Sequence, residues 1–454
     1  MPSPAHELKG SVTRRLAQFV WSLRDVDLPK GVMAFAKVCI LDLFGSALAA
    51  RGTPIALAAR NFTEEALGPG RATCWDTGKK ASIVGATWVN SVLASAVDID
   101  DGHRMAIGHP GSAIIPPTLA VAEQIRAHGR QLLEAVIAGY EIAIRVSHAR
   151  DPKQIENVTT GAWGAFGAAI GAGKLILHSI TEIENALGLA AMFGPRLPGT
   201  FPGGRRMVKE GIPWAAVAGV SSALLTRSGF TGPEKVFDFL PLYDPQRILQ
   251  GLGKEFLILK TYFKRYPCCR WLHPIIEGLF SLMDEGSIQA SQVKTLHIQT
   301  FSRAFSLPNR PRPETLEEAQ FSIPFCSALA MTKKEEGFHH IRLSDLDDPM
   351  VIQLSERVRL EPQPGFDESF PEKILSKITI ETSTKKMEKV VSSVKGDPDN
   401  PLTKEQLEEK YLLYASPVLG REKASLLKDY IWHLEEVSVE DLLRILTHRQ
   451  EISP

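Results

Sequence analysis

The spacing of apolar residues over the first 260 positions predicts helices. "SVTRRLAQFVWSL" places Val12, Leu16, Val20 and Leu23 on one face at intervals of three and four. "GVMAFAKVCILDLFGSALAA" is apolar nearly all round, as a helix buried on several sides is. "SIVGATWVNSVLASAVDI", "TLAVAEQIRAHGRQLLEAVIAGYEIAIRV" and "GAWGAFGAAIGAGKLI" continue the helical pattern, and the small residues of the last let neighbouring helices approach closely. After Tyr266 the period changes. "VKTLHIQTF" and "KILSKITIETST" alternate apolar and polar residues like half-buried strands, with the proline-rich "LPNRPRPETLEEAQ" between them. "GDPDNPLTKEQLEEKYLLYA" restarts a helix, with Thr403 as its cap and Gln406 at the capping-box position. The tail "YIWHLEEVSVEDLLRIL" is helical again.

The expected fold is mainly α with an α+β lid. A large all-helical domain is built from both chain ends, and a smaller α/β domain is inserted between them. The expected boundaries are 1–265, 266–400 and 401–454. A chain of 454 residues is too long for one ordinary core, which agrees with two domains. A cleft between two such domains is where small-molecule sites tend to lie.

Charge narrows the partners. The 52 Lys and Arg balance the 52 Asp and Glu, and the pI is near 7.2. No net field attracts nucleic acid or an anionic membrane, so neither is expected as a partner. No signal-like apolar stretch follows the first basic residues, and no run is expected to reach the roughly 18 apolar residues of a membrane span. The five cysteines (Cys39, Cys74, Cys268, Cys269, Cys326) form no CxxC pair. An odd, unpaired set fits reduced thiols and a cytoplasmic location.

The densest chemistry lies in "SAVDIDDGHRMAIGHPGSAIIPP", where Asp98, Asp100, Asp101, His103 and His109 fall within twelve residues. A metal site is one reading. However, the twelfth position from Asp98 is His109 rather than a bidentate Glu, and no HExxH pattern or thiolate lies nearby. An acid/base centre is a second: a carboxylate beside an imidazole holds the ring's tautomer and tunes it toward neutrality. A third is an anion pocket at a helix start, with Pro116 and Pro117 in the first helical positions and free backbone N–H groups facing a carboxylate. The bland alternative is that the aspartates cap helix ends and the histidines satisfy them.

Two basic segments complete the candidates. "GRRMVKEGIPWAA" sets Arg205, Arg206 and Lys209 before an apolar helix, where they form either a carboxylate contact or a solvated turn. "YFKRYPCCRWLHP" sets Lys264, Arg265, Arg270 and His273 at the domain junction, suiting either a polyanionic substrate or interdomain salt bridges. "GAAIGAGKL" is no P-loop, because Ala168 and Leu175 stand where Gly and Ser/Thr belong.

Taken together, "LPKGVMAFAKVCILDLFGSALAA", the Asp98–His109 segment, "GYEIAIR", "GAFGAAIGAGKL", "MVKEGIPWAAVAGV", "SGFTGP", "YFKRYPCCRWLHP", "EAQFSIPFCSALA" and "NPLTKEQLEEKY" resemble the MmgE/PrpD family. That family includes 2-methylcitrate dehydratase, cis-aconitate decarboxylase and iminodisuccinate epimerase. The resemblance covers nearly the whole chain. It implies the helical body and lid, a homodimer, and catalysis without metal or organic cofactor on a small di- or tricarboxylate between the domains.

By that resemblance Asp98, His109 and Lys209 are catalytic, with His103 in a variable part of the motif. Lys264 lies at the pocket edge; His273 and Arg206, taken from the two basic segments rather than from the resemblance, are expected to bind substrate with it. The expected mechanism has His109, oriented by Asp98, take a proton beside a carboxylate while Lys209 and Lys264 stabilise the developing charge. The chain departs from the decarboxylase pattern in three places. Val158, followed by Thr159 and Thr160, stands where a histidine is usual; Phe325 replaces a tyrosine; and Lys209 lies one residue closer to Ala215. The first reading is a lyase, the alternative an epimerase using the same proton abstraction, and the third a silent carboxylate- or partner-binding relative.

Overall fold

The computed structural model describes residues 10–24, 28–150, 159–195, 208–238 and 242–447. Its first half is helical: α1 (Val12–Ser22), α2 (Lys30–Ala49), α3 (Pro54–Ala66), α4 (Ile83–Ser95) and α5 (Pro110–Gln124). These are followed by α6 (Gly129–His148), α7 (Gly164–Ile176), α8 (Ile180–Phe193), α9 (Ile212–Arg227) and α10 (Pro245–Leu249). Two short antiparallel pairs interrupt them, β1 (Ala72–Thr73) with β2 (Lys80–Ala81), and β3 (Gly102–His103) with β4 (Thr261–Tyr262). The lid contains α11 (His273–Gly286), β5 (Thr295–Thr300), α12 (Leu316–Gln320), α13 (Ile323–Gly337) and α14 (Pro349–Ser355). It is completed by β6 (Val358–Pro362), β7 (Ser376–Glu381) and β8 (Lys386–Val391). The chain then returns through α15 (Lys404–Leu419), α16 (Arg421–Trp432) and α17 (Val439–Thr447).

Packing divides these elements into two apolar cores. The first runs from Val12 to Phe263 and is joined by residues from Leu402 to Leu446; the second holds residues from Tyr266 to Ile380. The fold is thus mainly α, with a helical body made from both chain ends and a smaller α/β unit between. The lid sheet has the order β6-β5-β7-β8, with β5 parallel to β6 and the other pairs antiparallel. Leu296 pairs with Ile380 and Ile298 with Ile378, and all four are fully buried, so the period-2 pattern points one face at the lid core. Thr403 caps α15 as its sequence predicts, accepting from the Gln406 N–H while the Gln406 side chain accepts from Thr403.

Three expectations are corrected. Gly31–Ala49 is long and apolar enough to cross a membrane, with a mean hydropathy of 1.8. It is a core helix here, 83% buried, and its inner charges are neutralised: Lys37 pairs with Glu435, and Asp42 with Lys410. The long helical pattern after Thr118 breaks at residues 125–128, where Arg126 adopts a left-handed φ of 54°. A Cβ on Gly129 would meet the Leu434 carbonyl oxygen at 1.8 Å, so only glycine lets α6 start against that segment. Finally, α5 begins at Pro110, which puts Pro116 and Pro117 inside it. The Ser112 carbonyl that Pro116 cannot satisfy accepts instead from Ser91 Oγ at 2.6 Å.

The near-miss at Lys174 also has a structural use: its Nζ donates to the Val20 and Leu23 carbonyls, each at 2.7 Å, at the end of α1.

Helices α5, α7 and α9 pack through small residues. A Cβ on Gly219 would lie 2.4 Å from both the Ala165 carbonyl oxygen and Ala168 Cβ. Gly219→Ala therefore forces α9 away from α7, with an expected loss of about 1–3 kcal/mol in urea denaturation. An unchanged midpoint and slope would show that the contact gives way freely.

Candidate active site

The loop from α4 to α5 and the turn before α9 meet through two residues in the left-handed region. Asp98 has φ 56° and Lys209 φ 40°, and Glu210 and Gly211 continue that conformation at 57° and 75°. Non-glycine residues held there are strained by about 1–3 kcal/mol each and persist where the surroundings over-determine them. Here the surroundings are ionic. Asp98 Oδ1 lies 2.9 Å from Lys209 Nζ, and its Oδ2 lies 3.0 Å from Lys264 Nζ. Lys264 also donates to the Asp98 carbonyl at 2.8 Å. The three residues are only 2%, 4% and 0% exposed for Asp98, Lys209 and Lys264 respectively.

Burial works to raise the Asp98 pKa, but Lys209, Lys264 and His109 outweigh it and hold the carboxyl far below the usual range. Burial likewise opposes the charge on Lys264, and Asp98 and Asp100 raise its pKa nonetheless. Lys209 reaches across to the lid, donating to Gln320 Oε1 at 2.8 Å, with its Nζ 5.0 Å from the centre of the Phe321 ring. Gln320 in turn donates to the Ala96 carbonyl at 2.9 Å. Sequence reasoning did not find Gln320; its only signal is its place in "EAQFSIPF", ahead of the α13 cap.

His109 occupies the N-cap of α5. Its backbone N–H donates to Thr160 Oγ1 at 2.9 Å, and its Nδ1 lies 2.8 Å from the Asp101 carbonyl. A carbonyl only accepts, so Nδ1 carries a proton, and in the neutral ring Nε2 is the nitrogen with the lone pair. This corrects the expectation that Asp98 orients His109. The nearest carboxylate to Nδ1 is that of Asp100, at 3.5 Å.

The other aspartates are consumed by the loop. Asp101 accepts from the Gly111 N–H at 2.9 Å and from the Tyr140 hydroxyl at 2.6 Å, and Asp100 accepts from Ser112 Oγ. The group at the start of α5 is therefore the Asp101 side chain, not a substrate carboxylate. Burial, reinforced by Asp42 and Asp100, outweighs the hydrogen bonds from Tyr140 and Gly111 and raises the Asp101 pKa to about 8.

The remaining candidates separate. The His103 ring is buried with both nitrogens engaged: Nε2 donates to the Leu257 carbonyl at 3.2 Å, and Nδ1 accepts from the Ala106 N–H at 3.3 Å. Burial lowers its pKa to about 3, which leaves it a neutral brace for the 102–108 turn. His273 is held the same way, by Arg270 Nη1 at 3.1 Å and the Cys268 carbonyl at 3.3 Å. Lys264 lies beneath the site rather than at its edge. Arg206, Arg205 and Val158 fall outside the described residues. Phe325 is buried in the lid core.

Beside His109 the two domains border a half-open cavity of about 90 Å³, room for several waters. His103, Arg104, His109, Glu210 and Tyr262 line it from the body, and Cys269, Arg270, Trp271, Phe321 and Phe370 line it from the lid. An imidazole and two guanidinium groups thus line one partly apolar space, and the Lys209 ammonium lies behind its Phe321 wall. That set can remove a proton beside a carboxylate and stabilise the resulting charge.

Comparison with known proteins gives this geometry a context. The MmgE/PrpD N-terminal domain matches residues 14–239, and the MmgE/PrpD C-terminal domain matches residues 266–436. The chain belongs to the MmgE/PrpD family. The C-terminal match continues past the lid into α15 and α16, which pack in the first core. Similar curated proteins include a cis-aconitate decarboxylase-like protein of Aspergillus oryzae, 25% identical over 97% of this chain and 98% of its own. A cis-aconitate decarboxylase of Aspergillus terreus is 24% identical over 96% of each chain. The mouse cis-aconitate decarboxylase is 23% identical, covering 94% of this chain and 91% of its own.

Two outcomes follow for this site. Asp98→Asn leaves two buried ammonium groups without their carboxylate and should cost about 3–5 kcal/mol in chemical denaturation; a loss below about 1 kcal/mol would show that the lysines find other partners. Asp101 binds its proton more tightly when folded than at the unfolded value of about 3.9. Its stabilising contribution is thus complete below pH 4 and disappears as pH rises toward 8. Asp101→Asn keeps the hydrogen-bonding shape, so wild type should lose stability relative to this variant across pH 4–8. Parallel stability curves would rule that out.

Proposed function

We propose that this MmgE/PrpD protein is a cofactor-independent lyase acting on a small di- or tricarboxylate by abstracting a proton beside a carboxylate. The observation that carries the reading is the His109 ring, held through Nδ1 by the Asp101 carbonyl, at a cavity next to the Lys209–Asp98–Lys264 group. The relatives named as cis-aconitate decarboxylases support a lyase and a tricarboxylate substrate.

In this mechanism His109 Nε2 takes the proton and becomes imidazolium, which the Asp101 carbonyl and nearby Asp100 stabilise. Charge develops on the substrate's carboxylate-stabilised carbanion. Lys209 offsets that charge: two of its three N–H donors are spent on Asp98 and Gln320, leaving one for the substrate. The same N–H returns a proton to the product or the leaving group. Lys264, spent on Asp98 alone among the described residues, keeps that carboxylate ionised so that Lys209 stays charged and aimed. Thr160 occupies the region where the decarboxylase pattern has a histidine. It holds the His109 backbone and contacts Glu210 Oε2 at 3.2 Å, a positioning part.

Two further parts of the reading rest on the family. We propose a homodimer, supported by the exposed rings of Phe62 and Trp214, which stand 5.7 and 5.5 Å from the partly buried Trp88 between them. We also propose a cytoplasmic location, in keeping with five unbridged cysteines.

The deciding experiment is proton NMR in D₂O with chelator-treated protein and a panel of 2-methylcitrate, citrate, cis-aconitate and iminodisuccinate stereoisomers. Deuterium entering beside a carboxylate, together with a new alkene or released CO₂, is expected. His109→Gln and Lys209→Ala should each slow it by at least about 100-fold. Exchange with only a change of configuration would make the protein an epimerase. Binding without any exchange would make it a silent relative.

A further inference from the structure

The same cavity is also lined by two arginines that belong to a second ionic arrangement. Asp397 is 3% exposed and receives two guanidinium groups. Arg104 pairs with it through Nε, at 3.2 Å, and through Nη2, and Arg270 Nη2 lies 2.6 Å from its Oδ1. Two positive charges thus share one carboxylate. The Arg270 guanidinium lies over the Tyr262 ring, 4.8 Å from its centre, which fixes its plane. Buried nitrogens remain on both arginines with no hydrogen-bond partner among the described residues: Nη1 of Arg104 and Nε of Arg270. Buried unpaired N–H donors also occur elsewhere, on Trp163 and Trp432 among others, but these two are distinguished by belonging to residues that line the cavity. Glu210 is the one carboxylate among the lining residues, and its Oε2 faces the Thr160 hydroxyl and N–H.

We propose that Arg104 and Arg270 form a binding subsite for a substrate carboxylate that takes no part in the proton transfer. This inference rests on the polycarboxylate reading above and deepens it, because it accounts for selection of a substrate with a carboxylate remote from the reacting carbon. The ligand oxygens accept from the two guanidinium groups at the cavity wall and balance the second positive charge. Asp397 keeps the two arginines together before the substrate arrives and prevents the subsite from holding a carboxylate too tightly. The pair also spans the domain junction, since Arg104 belongs to the body, Arg270 to the start of the lid and Asp397 to the chain returning from it. A ligand there contacts both domains at once.

The test uses propane-1,2,3-tricarboxylate, a non-reactive tricarboxylate, titrated calorimetrically into the full-length wild type and the Arg104→Gln, Arg104→Lys and Arg421→Gln variants. Arg421 is an exposed residue on α16 and controls for net charge. Arg104→Gln should weaken binding by about 10- to 100-fold, Arg104→Lys by less, and Arg421→Gln by under about twofold. In wild type, the same ligand should protect Arg104 from phenylglyoxal labelling followed by peptide mass spectrometry, a readout that needs no variant to fold. Binding that is indifferent to Arg104, unprotected labelling, or no binding by wild type would each overturn the subsite. If binding depends on Arg104 but the D₂O panel shows no exchange, the subsite stands and the lyase falls. Exchange with binding indifferent to Arg104 does the reverse.

Discussion

A carboxylate buried between two ammonium groups organises this protein. Asp98 is nearly inaccessible, yet it stays ionised because Lys209 and Lys264 hold one oxygen each. Neither lysine could remain charged at that depth without it, and the carboxylate could not without them. The three come from distant parts of the chain: the loop after α4, the turn before α9, and the strand segment entering the lid. Bringing them together fixes the two positive-φ residues, Asp98 and Lys209, in conformations that neither would hold alone.

The rest of the site hangs from that pairing. Lys209 continues to Gln320, whose amide returns to the Ala96 carbonyl at the start of the same loop, so body and lid are linked through a closed ring of polar contacts. A few residues further on, Asp101 performs two tasks with different atoms. Its side chain takes the N–H at the start of α5 and the Tyr140 hydroxyl, and its carbonyl takes the proton of His109 Nδ1. Each of the three aspartates in the loop has a different partner set. That arrangement gives the neutral His109 ring a single tautomer without a carboxylate directly on it. The outer wall repeats the logic with Asp397 between two arginines.

Much of this was legible beforehand, and the residues show why. The helical face of α1, the buried character of α2, the cap at Thr403 and the alternation in β5 and β7 are local properties with periods of 3.6 or 2. The weaker strands β6 and β8 were missed because their outer faces alternate with charge or proline, and their place is set by pairing with β5 and β7. The importance of Asp98, His109, Lys209 and Lys264 was visible as residue type in a family-like order. The roles inside the cluster were not. His103 and His109 read alike in sequence, and only the positions of the Leu257 carbonyl and the Ala106 N–H make one a brace while the other keeps a free nitrogen.

By itself, the sequence determined which segments are helices or half-buried strands, that a helical tail follows the α/β segment, and which charged residues were available to a site. Those properties depend on side-chain periodicity and on turn and cap chemistry within a few residues. Tertiary structure alone decided which carboxylate faces which cation, which histidine remains a base, and that two guanidinium groups converge on Asp397. Such choices depend on distances of about 3 Å between residues separated by more than a hundred positions, and burial makes each pairing strong enough to matter.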